Sequence, residues 1–457
     1  MDNDIFSINR TEIGSNHIRM NKICEDASAS YDDNNLHIIA VADGHGSDNY
    51  PRTERGSKFA VEAALSCVKE FVKYAQPNEL LNDKKYYLLN QLSKSILLTW
   101  NNLVEKDFEA NPFTEEEMRN VSEKYKKRYL KDDFLEGYFK KAYGTTLIMF
   151  AITREYSFGI HIGDGKCVVI GDDGTFEEPI PWDDDCEMNV TTSICDDDAI
   201  NKFRYYVTDK KMSAVFCSSD GIEDSYPTVS EIYALYRSIL KIFLEHGKDT
   251  LINEIREYLP TLTKHGSGDD VSIALIINPK LAQKIENVLQ KQTDVFNLNQ
   301  EINQKELRYL SGLNASEQLR KHISKMILNS KRHEIEKEQN KLWKIENEND
   351  SLEQEISKLR KELEELKNKE NQELNSKRIL GNQVDIPSPN IEEDVSVDEK
   401  IEETKELYLK EHVTHESIDI RLNDEKNVIQ NDVCDKTNIS EEDDGLNIPF
   451  SNERDSL

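Results

Sequence analysis

The sequence predicts an α+β domain over residues 1–280, a helical coiled-coil segment over 281–380 and a disordered acidic tail over 381–457. Three observations carry that division. Short β-branched runs alternate with amphipathic stretches in the first zone. The second is rich in Glu, Lys, Leu, Gln and Asn, with no Pro and one glycine, Gly312. In the third, residues 391–457 hold 21 Asp and Glu against 7 Lys and Arg, with Tyr408 and Phe450 the only aromatic rings. Such a stretch buries too little apolar area to offset its chain entropy.

In order along the first zone, "LHIIAVA" (36–42) reads as a buried strand delivering Asp43, with Gly44 next. "ERGSKFAVEAALSCVKEFVKYA" (54–75) reads as a helix burying Ala60, Ala64, Cys67, Phe71 and Ala75. "TLIMFAIT" (146–153) and "SFGIHI" (157–162) form a strand pair whose second member delivers Asp164 in "GDGK". "KCVVIGDDGTF" is a strand closing on a tight "DDG" turn. "SAVFCSS" (213–219) delivers Asp220, followed by Gly221. "PTVSEIYALYRSILKIFLEHG" (227–247) is a helix with Thr228 and Glu231 as a capping box and Ile232, Tyr236, Ile239 and Phe243 on one face. "GSGDDVSIALII" sets Asp269 and Asp270 just before a last strand. Strands packed side by side would gather these acids. Clustered carboxylates raise one another's pKa unless something neutralises them, and a hard divalent cation such as Mg²⁺ or Mn²⁺ suits all-oxygen ligands. Each Asp taken alone reads as an ordinary strand-end or turn residue; it is the several together that point to a cation.

The second zone has a heptad register. Ile335, Leu342, Asn349, Ile356 and Leu363 fall at one position and Ile345, Leu352, Leu359 and Leu366 three residues later. Leu at d with a single Asn at a favours a parallel pair of helices, and Lys341–Glu346, Glu355–Arg360 and Glu362–Lys367 would attract across it, while Glu348–Glu353 would repel. The expectation is a parallel homodimer through residues 335–370. The alternative is one amphipathic helix folded back on a neighbour.

Composition excludes other classes. With 88 Asp and Glu against 58 Lys and Arg the net charge is −30, which argues against nucleic-acid and anionic-membrane partners. Seven cysteines, odd in number and without C-x-x-C, argue against a disulfide framework or zinc site. "MDNDIFSINR" has neither the basic nor the apolar part of a secretory leader, and runs such as "LIMFAI" are too short to cross a bilayer. A soluble, cytoplasmic protein is expected.

The motifs "CEDAS" (24–28), "VADGHGS" (41–47), "YGTTL" (143–147), "HIGDGK" (161–166), "CSSDGIED" (217–224) and "GSGDDVSIALI" (266–276) resemble, in order, those of the metal-dependent protein phosphatases of the 2C type. "SDNY" after DGHG and the "NVTTSICDDDA" loop resemble a bacterial branch. The resemblance covers residues 10–278 and implies a four-layer α-β-β-α sandwich of two antiparallel sheets flanked by helices, with a metal centre at one rim. It implies hydrolysis of phosphoserine and phosphothreonine in proteins by water activated between two Mn²⁺ or Mg²⁺ ions, with a third ion at a weaker site. Carried over by position, Asp43 would bridge the ions with the Gly44 carbonyl on one. Asp220 and Asp269 would complete the other's protein ligands, Glu25 and Asp26 would hold waters, and Asp164 would match the weaker site. His45 would be the general acid.

One departure concerns the phosphate. Where the family commonly has an arginine four residues before its first acid, this chain has Asn21. Arg19, Lys22, His17, Arg52 and Arg55 are the nearby substitutes, of which Arg19, Lys22 and Arg55 are the candidate phosphate ligands. Residues 77–142 exceed the minimal form, and "TEEEMRNVSEKYKKRYLKDDF" (114–134) reads as an inserted helical excursion. "PWDDDCEMNVTTSICDDDA" (181–199) reads as a solvated loop, alternatively a mobile flap. Two other functions remain open to the sequence: a catalytically weak phosphoprotein-binding scaffold, and a phosphoesterase acting on small molecules.

Overall fold

Strands buried on both faces explain the unbroken apolar runs. The structure, a computed structural model, describes residues 4–129, 138–186, 190–328 and 332–380. The expected acidic tail, 381–457, lies outside the described residues, as do residues 130–134 of the excursion. The strands are β1 (Phe6–Glu12), β2 (Ala27–Asp32), β3 (Leu36–Ala42), β4 (Leu147–Thr153), β5 (Ser157–Ile162), β6 (Lys166–Gly171), β7 (Phe176–Glu177), β8 (Arg204–Thr208), β9 (Met212–Ser218) and β10 (Val271–Ile277). They form two antiparallel five-stranded sheets, in the orders β1-β10-β9-β6-β7 and β2-β3-β4-β5-β8.

The helices are α1 (Ser15–Met20), α2 (Thr53–Phe71), α3 (Pro77–Leu80), α4 (Lys85–Ala110), α5 (Glu123–Tyr129), α6 (Asp220–Glu223), α7 (Val229–His246), α8 (Lys248–His265), α9 (Pro279–Leu328) and α10 (Arg332–Leu380). Successive side chains of a strand face opposite ways, and both faces are used. In β3, Ile39 and Val41 enter the layer between the sheets, while Ile38, Ala40 and Ala42 face α2 and α4. In β10, Ala274 and Ile276 point inward and Ile273, Leu275 and Ile277 meet α7 and α8. This is the four-layer α-β-β-α sandwich. Thr228 and Glu231 do form the capping box of α7.

The compact unit described here runs to Leu366, with the end of α10 from Lys367 in a second unit. α9 follows β10 after a single residue and lays Ala282, Ile285 and Leu289 on the outer core of the first sheet. α10 then returns along α9. Lys305 pairs with Glu355 at 2.7 Å, Arg320 with Glu346 at 2.6 Å, and Arg360 with Glu306, an antiparallel order. Asn349 and Ile356 of α10 are buried, as are Ile302, Ser316, Ile323 and Met326 of α9. The heptad seam of α10 is therefore a real packing face, but its partner is α9 of the same chain. The parallel homodimer expected through 335–370 is not shown by this single chain. Gly312 explains the pairing: a Cβ there would stand 2.0 Å from Asn349 Oδ1, so the one glycine of the segment is the notch that admits the one seam asparagine. The helix folded back on a neighbour, weighed above as the alternative, is the observed arrangement.

Candidate metal centre

The acids gather at one edge of the sandwich because antiparallel neighbours bring the end of one strand beside the start of the next. Asp43 follows β3 and Asp26 precedes β2, whose Ala27 pairs directly with Ala42. On the other sheet Asp220 follows β9 and Asp269–Asp270 precede β10, where Ile273 pairs with Ser218. Asp164 lies on the turn carrying the chain from β5 to β6. Ser219 ties the two sheets, its hydroxyl donating to Asp26 Oδ2 at 2.8 Å and accepting from the Ser272 N–H at 2.9 Å.

The glycines after Asp43 and Asp220 are required by close approach. A Cβ on Gly44 would lie 2.6 Å from the Glu25 carbonyl oxygen, and one on Gly221 would lie 2.1 Å from that of Asp270. Each carboxylate loop thus rests on the backbone of the next. The Asp43 carbonyl accepts from the Thr146 N–H and the Thr145 hydroxyl, both at 2.8 Å, which fixes its strand end against "YGTTL".

Electrostatically the edge is loaded. Burial, then the charges of Asp26 and Asp220, hold Asp43 well above the carboxylate range. Burial raises Asp26 to about 8 against the Ser219 hydroxyl, Glu25 to about 7 against His17 and Lys22, and Asp220 to about 6. Asp224 is raised too, by burial and then by Asp269 and Asp164. Burial lowers His45 to about 4, partly offset by Asp164. Among the described residues no three His, Cys, Asp or Glu side chains already stand as a ligand set. The fit to hard cations lies in the chemistry of the donors: oxygen only, and mutually repelling unless protonated or bound to positive charge.

Asp43, Asp220, Asp26, Asp164, Glu25 and Asp269 are thus brought within reach of one another's charge, with the side chain of Asp269 exposed at the rim. Its neighbour Asp270, given no role above, is the buried one. Burial works to raise it, but His17 and the N–H groups of Gly14 and Glu25, each 2.6 Å away, hold it low. His17 Nδ1 lies 3.0 Å from Asp270 Oδ1 as an ion-pair contact, and its Nε2 lies 3.7 Å from Glu25. Adjacent acids look alike in sequence; only the strand phase of β10 separates Asp270 inside from Asp269 outside.

The basic candidates separate clearly. Arg52 is 1 % exposed and spent on Glu117, Tyr143 and the Phe113 ring. Arg55 is paired with Asp107 at 3.0 Å, and Arg19 with Asn16. Lys22 donates to the Gly46 carbonyl at 3.0 Å, on the loop of His45, and its charge reaches Glu25. Asn21 closes α1 at φ 54°, a left-handed position that asparagine tolerates and arginine does not favour. The acidic 181–199 segment is more than a solvated loop: Ser193 and Ile194 bond to Thr145 at 3.0 Å, and Thr192 is buried on Asp183. Residues 187–189 of that segment lie outside the described residues.

The sequence profile of the family described as protein phosphatase 2C matches residues 13–259. Among solved structures the chain is similar to a bacterial serine phosphatase at 16 % identity and TM-score 0.37, covering 60 % of this chain and 98 % of that one. It is similar also to PppA of Pseudomonas aeruginosa at 15 % and 0.37, covering 60 % and 97 %. The catalytic domain of the serine/threonine protein phosphatase PstP, in complex with two manganese ions, matches at 12 % and 0.35, covering 60 % and 97 %. No curated protein sequence matches this chain. With more than half of its length matched by one family profile, over a stretch that includes Glu25, Asp26, Asp43, Asp164 and Asp220, the chain belongs to the protein phosphatase 2C family.

Proposed function

We propose that the protein is a metal-dependent serine/threonine phosphoprotein phosphatase whose reaction takes place at the acidic edge. The observation that carries this is the convergence of Asp43 and Asp220, one from each sheet, within reach of the charges of Asp26, Asp164 and Asp269. Asp43, the Gly44 carbonyl, Asp220 and Asp269 would hold two Mn²⁺ or Mg²⁺ ions, and Asp164 a third at a weaker site. Two such ions supply Lewis acidity and a water that is deprotonated near neutral pH. Glu25 and Asp26 orient water at the same edge. His45, lowered by burial, would take a proton from solvent as the phosphate dianion binds and pass it to the departing seryl or threonyl oxygen. Lys22, the basic candidate nearest that loop, draws the phosphate in.

The six cysteines in the described residues are free, and no described helix is long and apolar enough to cross a membrane. The scaffold reading has less support, because every expected acid is present at one edge.

The test is hydrolysis of a phosphothreonine peptide and of 4-nitrophenyl phosphate with Mn²⁺, alongside Asp43→Asn. Turnover that needs Mn²⁺ and is lost in the variant is the expected result. A wild-type chain silent across metals and pH would overturn it in favour of the scaffold, and turnover of the aryl ester alone would point to small-molecule substrates.

A further inference from the structure

Hydrolysis as just described makes no use of residues 111–129, between α4 and β4, yet they grip the loop after His45 at three of its residues. The Asn49 carbonyl accepts from the Tyr129 hydroxyl at 2.7 Å, and its side-chain oxygen accepts from the Ser122 N–H at 3.0 Å. Arg52 is held two-pronged by Glu117, Nε at 2.7 Å and a terminal nitrogen at 3.0 Å, under the Phe113 ring at 4.4 Å. Glu117 is itself pinned by the Thr114 N–H at 2.8 Å. Between these clamps stands Tyr50. Its ring meets the His45 imidazole edge-on at 4.8 Å and the Tyr125 ring edge-on at 6.1 Å, and Tyr125 meets Tyr129 at 6.0 Å. On the other side Gly144 leaves no room to retreat, since a Cβ there would strike His45 Cδ2 at 2.5 Å and Tyr50 Cδ1 at 2.9 Å.

We propose that the 111–129 segment positions His45, acting through the Tyr125–Tyr50 ring contact. A brace for the fold alone would need only the Arg52 and Asn49 clamps; the ring series continues to the imidazole itself. Edge-to-face contacts of this kind fix orientation as well as burying area, and a proton donor is effective only when aimed at the departing oxygen. Tyr50 and Tyr125 are positioning residues. Neither gives up a proton in this account, so the ring and not the hydroxyl is what matters. The inference rests on the reading of His45 as the acid.

The experiment compares Tyr50→Leu, Tyr125→Leu, Tyr50→Phe and Tyr125→Phe with His45→Ala in the full chain, each with Mn²⁺, on two substrates. A phosphothreonine peptide expels an alkoxide that needs a proton; 4-nitrophenyl phosphate expels a stable anion that needs little. The leucine variants are expected to lower the peptide-to-aryl rate ratio about tenfold, with both phenylalanine variants restoring it, and His45→Ala is expected to lower it further. A selective loss in His45→Ala with an unaltered ratio in the leucine variants overturns the positioning role and leaves the acid assignment standing. Equal losses on both substrates in His45→Ala overturn the acid assignment and the positioning role with it. Phenylalanine variants as poor as leucine also overturn it, by making the hydroxyl the active part. Should Tyr50→Leu fail to fold, Tyr125→Leu, whose ring is only half-buried, supplies the same comparison.

Discussion

Replacing Glu117 with Gln removes the charge that faces Arg52 while keeping the shape of the side chain. Arg52 is 1 % exposed and the Glu117 side chain 22 %. Burial works to raise the Glu117 carboxyl from its usual 4.5, but the Arg52 guanidinium and the Thr114 N–H outweigh it and bring the value to about 2. Such a lowering is worth about 3 kcal/mol at neutral pH, somewhat less for the water that still reaches the carboxylate. The value in the folded state lies below that of the unfolded chain, so this stability is complete above about pH 5. It is lost as pH falls through 2, and by pH 3 it has fallen to about half. Glu117→Gln should therefore lower the unfolding free energy by about 3 kcal/mol at pH 7, with a gap to wild type that narrows on acidification. Urea unfolding between pH 3 and 7 reads this directly. Trp100 is the probe, since it is buried with its indole N–H on the Gly56 carbonyl at 3.0 Å, one turn along α2 from Arg52. A loss under 1 kcal/mol, or a gap that does not move with pH, would refute the reasoning.

Three other outcomes are expected. Glu25, Asp26, Asp43 and Asp220 lie above their unfolded values, so in EDTA the stability they lend is present below about pH 4 and falls as pH rises through 6 to 8. A melting temperature that declines from pH 5 to pH 9 in EDTA and recovers with Mn²⁺ checks this, and a flat EDTA profile contradicts it. Gly312→Leu would drive a side chain into Asn349 and cost the α9–α10 hairpin about 1–3 kcal/mol, seen as faster proteolysis of α10 while hydrolysis of 4-nitrophenyl phosphate persists. Because the α10 seam is satisfied within the chain, sedimentation should give a monomer of 52.8 kDa, and twice that mass would restore the two-chain seam.

β3, β4, β5, β6, β9 and β10 were legible because they are buried along most of their length and read as apolar runs, with β3, β5 and β9 leading toward an acid, whereas the partly exposed β1, β2 and β8 show no such run. α7 was legible from Thr228 and Glu231, whose capping box is purely local. What escaped was whatever depends on a distant partner. α8 carries Pro260 within the helix, a residue that reads as a breaker. α9 hides its seam by placing Gly312 and Ser316 where apolar residues belong, while Leu307 and Leu313 face outward, 67 % and 45 % exposed. With that half obscured, the cleaner α10 register invited a partner from another chain. Arg52 reads as a free cation after DGHG, and only the fold shows Glu117, 65 residues on, consuming it. Asp269 and Asp270 differ by a single step of strand phase, which no local pattern marks.

β10 has a second duty beyond closing its sheet. Asp270 stands at one end of this seven-residue strand, and Asn278 at the other leads straight into α9. At 1.5 Å per residue, the 50 residues of α9 make a rod about 75 Å long. The rod is gripped at its root from Ala282 to Gln300, which reaches Glu231, and stiffened farther out by its returning partner. With only Asn278 between them, β10 and α9 are joined without a loop, so the helical rod starts directly from the strand that follows Asp269 and Asp270.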